Sequence, residues 1–142
     1  MKNSKKFLNF LLKTSQTGQI SIRSVLDAPI DADLRTALHA QLREYSSIEN
    51  EAYGIACQRG WELADVDLTI KFLTDRIARF RLNGRDPGSK IADMMILFNT
   101  KGMIKGLRIL NNFTEPDPRV SILCRKLLDC ENACIRQMQE YL

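Results

Sequence analysis

The residues best suited to chemistry fall into three groups: an arginine run, a few carboxylates with a single histidine, and four cysteines. Arg76, Arg79, Arg81 and Arg85, with Lys90 beyond, form the densest positive segment and precede a glycine-containing loop. Guanidinium groups at this density suit a phosphate or an acidic partner. The plainer alternative is a solvated helix end, where the dipole favours basic side chains. These four arginines are the candidate contact site for an anion or a partner.

The carboxylates invite a test for metal. A di-metal centre in a helical bundle takes an inward Glu from each of two helices and Glu-x-x-His from each of two others. The only histidine is His39, Thr36 stands where the Glu of such a motif belongs, and no Asp or Glu occurs from Met1 to Val25. A standard di-metal carboxylate centre is therefore excluded. Glu44, Glu49, Glu51 and Glu131 can place acids near a core, but helix carboxylates ordinarily face water or pair with Lys and Arg. His39 has no evident partner and reads as a surface or satisfied buried histidine.

Cys130 and Cys134 lie one helical turn apart and can face the same way, whereas Cys124 and Cys57 stand elsewhere. Two thiolates are too few for a closed zinc site, and reduced buried thiols behave as small apolar groups. No P-loop, Rossmann, G-x-S-x-G or H-E-x-x-H motif occurs. The expectation is a chain that is not an enzyme and has no cofactor or metal, with an atypical metal or small-molecule site as the alternative.

The elements that must position these residues are helical. At 142 residues one core and a single domain spanning 1–142 are expected. Lys and Arg exceed Asp and Glu by 21 to 17, a net charge of +4, which is too modest to imply nucleic acid. No stretch is long and apolar enough for a membrane span, and the Lys-rich start runs into Lys13 with no signal-peptide cleavage site, so a cytoplasmic location is expected.

Leu8, Leu11, Ser15, Gly18, Ile22 and Val25 recur at spacings of three and four, predicting a helix over 5–26. The small Ser15 and Gly18 predict close backbone approach. After Pro29, Asp31 is placed to cap a second helix, with Leu34, Leu38, Leu42 or Gln41, Tyr45, Ile48, Ala52 and Ile55 inward and Gly60 as its stop. A third helical region is predicted over 61–81, in one or two pieces, followed by a loop at 83–89. A fourth helix carries Ile91, Met94, Met95, Phe98, Gly102, Met103, Gly106 and Leu110, its G-x-x-x-G favouring close packing. The last starts near Pro118 and presents Val120, Leu123, Leu127, Cys130 or Glu131, Cys134, Met138 and Leu142. Short connections predict an all-α, antiparallel up-down bundle of four to five helices. Phe10, Ile20 and Leu97 are left outside the seams and leave a homodimer open.

Three segments carry a family resemblance: Leu11-Leu12-Lys13-Thr14 with Gly18; Leu42-Arg43-Glu44-Tyr45 leading to Glu49-Asn50-Glu51-Ala52; and Ser89-Lys90-Ile91-Ala92-Asp93-Met94-Met95-Ile96 with Gly102 and Leu107. In this order they resemble small ferritin-like bundle proteins of spore-forming bacteria, similar to the spore coat protein F family and its uncharacterised relatives. The resemblance implies a ferritin-like bundle with a structural or spore-coat-associated role. It transfers no iron ligand, because those positions are unmatched. The expected function is thus a non-catalytic structural or protein-interaction bundle that self-associates or binds another protein.

Overall fold

Chain-breaking residues set the bounds of the helices. In the computed structural model, which describes residues 2–63, 86–112 and 117–142, four helices occur: α1 (Lys2–Val25), α2 (Ala32–Arg59), α3 (Pro87–Asn111) and α4 (Pro118–Gln139). No strand occurs among the described residues, and none of their helices is long and apolar enough to cross a membrane.

α2 ends in a Schellman arrangement. Gly60 takes φ 68°, its N–H donates to Cys57 O, and the Trp61 N–H donates to Ala56 O at 2.9 Å. Asp31 sits at the N-cap of α2 with extended backbone, but its side chain makes no capping hydrogen bond, contrary to expectation. Arg35 acts at that corner instead, donating from Nη1 to Leu26 O and from Nη2 to Ala28 O, so that carbonyls of the turn after α1 are satisfied.

α3 and α4 start alike, with proline in the first turn behind a capping aspartate. Asp86 accepts from the Ser89 N–H at 3.2 Å and Asp117 from the Arg119 N–H at 2.9 Å. The predicted loop at 83–89 is therefore shorter at its end: Pro87 already belongs to the helix. Residues 64–85, which carry most of the predicted third helical region, lie outside the described residues.

α1 packs on α2, α3 on α4, and α2 on α4, with α1 also reaching α3 and α4. α1 begins earlier than expected because Ser4 is buried, its hydroxyl accepting from the Asp117 N–H at 3.0 Å. All six α1 seam positions are buried, and in α2 the inward choice is Gln41, with Leu42 half-buried. Both Cys130 and Glu131 are buried in α4, while Leu142, beyond the helix end, is exposed. Phe10 is not spare: it is buried beside Phe7 and under Lys105, whose Nζ lies 5.5 Å from the ring centroid. Leu97 is exposed as expected and Ile20 is half-buried.

Candidate functional site

A polar cluster lies in the apolar core. Tyr45 of α2, Asn99 of α3 and Glu131 of α4 each have 0% of their surface exposed. The Tyr45 hydroxyl donates to Asn99 Oδ1 at 2.8 Å and lies 3.1 Å from Glu131 Oε2. Its single proton can serve only one acceptor. Burial is the main cause that pushes the Glu131 carboxyl up to about 9, with Cys130 adding to it and the Tyr45 hydrogen bond opposing it. A neutral carboxyl then supplies a second proton, giving a directed chain from Glu131 to Tyr45 to Asn99. The Tyr45 phenol is held well above its ordinary range, first by burial and then by Glu131.

Glycines make room for this cluster. A Cβ on Gly102 would stand 3.1 Å from Glu131 Oε1, and one on Gly18 would press on the Tyr45 ring. Glu131 Oε1 and Asn99 Nδ2 are buried with no hydrogen-bond partner among the described residues. An acceptor and a donor left over in one cluster suit a small polar guest such as water. The cluster thus holds one carboxyl kept neutral and one phenol kept protonated, with one acceptor and one donor still open.

A second feature lies between α1 and α3. Lys6, Lys13, Lys105 and Arg108 line a groove of about 610 Å³ together with Phe10, Ile109 and three asparagines. A neighbouring recess adds Lys101 beside Lys13 and Lys105. Among the described residues no acid lines either one. The cause is legible in the chain: α1 contains no acid, and none occurs from Met94 through Asn112. Five cations converge with no counter-charge from the described residues along the groove, which focuses positive potential there.

The sequence-predicted residues are dispersed. Arg76, Arg79, Arg81 and Arg85 lie outside the described residues. His39 is exposed on α2, and Glu51 pairs with Lys126 at 3.0 Å on the surface. Gln19 donates to Glu49 at 3.2 Å, Glu44 is exposed, and only Glu131 of the four acids enters the core. Among the described residues no three His, Cys, Asp or Glu side chains gather as a metal site. Cys130 and Cys134 do face the same way, with 4.0 Å between sulfurs. Asn99 was not anticipated, although it stands on the Ile91, Met95 and Gly102 register. The basic groove was not anticipated either, because its cations come from two helices far apart in sequence. Comparison with family models, with curated proteins and with solved structures finds no match to this chain.

Proposed function

We propose that the chain is a non-catalytic, antiparallel, ferritin-like bundle that works as a protein-interaction module, with the acid-free α1/α3 groove as its contact surface for an acidic protein segment. The single observation that carries this is the convergence of Lys6, Lys13, Lys101, Lys105 and Arg108 with no carboxylate from the described residues along the groove. Uncompensated charge of one sign steers an oppositely charged partner and rejects like-charged ones. The half-buried Ile109 on its wall adds apolar surface of the kind protein segments bury on docking.

The antiparallel arrangement is supported by the pairs between α2 and α4. Gln41 meets Gln137, Tyr45 meets Glu131, Glu51 meets Lys126 and Arg59 meets Asp117, so one helix descends in number as the other rises. The ferritin-like assignment and a spore-coat-associated role rest on the sequence resemblance.

A second reading, self-association, is favoured by Leu97, Ile104 and Leu107. They are nearly half-exposed and recur at spacings of seven and three along α3, the repeat of a helix-pairing seam.

Fluorescence anisotropy with a labelled acidic peptide tests the main reading. Binding should weaken steeply with salt and be lost in a Lys13→Glu, Lys105→Glu double variant. Tighter binding of an oligonucleotide of equal charge would replace the protein partner with nucleic acid. Light scattering of the wild type and Ile104→Glu tests the second: a dimer that the variant dissociates supports it, and a monomeric wild type ends it.

A further inference from the structure

We infer that Cys130 and Cys134 form a two-sulfur site for one monovalent copper ion at the floor of the groove between α2 and α4. The two sulfurs sit on successive turns of α4, 4.0 Å apart, and both cysteines are free. Taking metal–thiolate bonds of about 2.3 Å, two sulfurs sharing one ion stand about 3.8 Å apart at a tetrahedral angle and about 4.6 Å apart when collinear. The observed separation is about 0.6 Å short of the collinear arrangement that a two-coordinate ion prefers, a gap that rotation of the two side chains closes without breaking the helix.

The groove that gives access holds about 700 Å³ and is lined by both cysteines with Gln41, Glu44, Arg125 and Lys126 among others. Gln41 is almost fully buried, and its Oε1 has no hydrogen-bond partner among the described residues. Its Nε2 donates to Gln137 Oε1 at 3.1 Å, which leaves the oxygen on a wall that the two thiols share.

Ligand softness selects the ion. Paired thiolates favour monovalent copper, which is satisfied by two sulfurs, whereas structural zinc calls for four ligands that the described residues do not assemble. This site departs from the expectation that the pair is core packing with no metal. Two thiols lose two protons to solvent, two copper–sulfur bonds form, and the oxidation state is unchanged. The bis-thiolate complex carries one negative charge, in a groove where Arg43, Arg125 and Lys126 outnumber Glu44 and Asp129. This site lies between different helices from the basic groove and is independent of the acidic partner.

The test is an anaerobic titration of the whole chain with monovalent copper buffered by a chromogenic chelator. The wild type should withdraw one equivalent per chain. Cys130→Ser and Cys134→Ser should each weaken binding by about 100-fold or more, while Cys57→Ser leaves it unchanged. Should the serine variants lose helicity, mass-spectrometric mapping of maleimide labelling on the wild type decides: copper should protect Cys130 and Cys134 and spare Cys57. Copper left on the chelator, equal binding by the double serine variant, or labelling indifferent to copper would each overturn the site.

Discussion

Gly18 of α1 lies directly against the ring of Tyr45 of α2: a Cβ built on the glycine would stand 2.7 Å from Tyr45 Cε2 and 2.9 Å from Cζ. That ring is fully buried and its hydroxyl is fixed by Asn99, so it cannot swing aside without breaking the polar cluster.

Gly18→Ala is therefore expected to destabilise the protein, by about 1–3 kcal/mol, because overpacking outweighs the roughly 1 kcal/mol of helix propensity gained. Urea unfolding measures it. Gly54 of α2 is the control: nothing lies within 4 Å of its added Cβ, and Gly54→Ala should stabilise by about 0.5–1 kcal/mol. Equal effects of the two substitutions would contradict the packing described.

Glu131 gives the fold a pH dependence. Its folded value is pushed from 4.5 to about 9, so between these limits the unfolded chain has released the proton and the folded chain retains it. Stability must then fall as pH rises through that window, by about 3 kcal/mol between pH 4.5 and 7 at 1.36 kcal/mol per unit. Glu131→Gln, which keeps the shape and removes the titration, should flatten this slope. Denaturant midpoints across the pH range, wild type against variant, supply the check, and parallel curves would contradict a neutral buried carboxyl.

Asp117 gives a slope of the opposite sign. Arg59 Nε donates to its Oδ2 at 2.8 Å and, opposed by burial, holds the carboxyl below 3.8. Its contribution is complete above that value and is lost as pH falls through the lower folded one. Asp117→Ala should cost about 1–2 kcal/mol at neutral pH through the lost α4 cap, and less in strong acid. A cost that does not diminish on acidification would refute the assignment.

The helical class and three of the four helix stops were readable in the sequence because each rests on local chemistry: the spacing of Leu8 to Val25, the left-handed Gly60, and prolines that can open helices but not continue them. The close approach at Gly18 was readable for the same reason. What escaped was pairwise. The α4 seam reaches Glu131 and Cys130 at the same level, and only Tyr45 and Asn99 arriving from other helices explain how an acid is tolerated there. The basic groove likewise arises when Lys6 and Lys13 of α1 meet Lys105 and Arg108 of α3, and no window along the chain contains both sets. Arg76 to Arg85 drew attention because sequence reading finds charges that are adjacent in the chain.

The groove has a bearing on handling the molecule. A net charge of +4 spread evenly would make a weak ligand for a cation exchanger, but here α1 alone carries five cationic side chains and no acid. The protein should adsorb to such a resin by one flank and elute at higher ionic strength than a protein of equal charge distributed uniformly. On a negatively charged support it would sit with its α1/α3 flank toward the matrix.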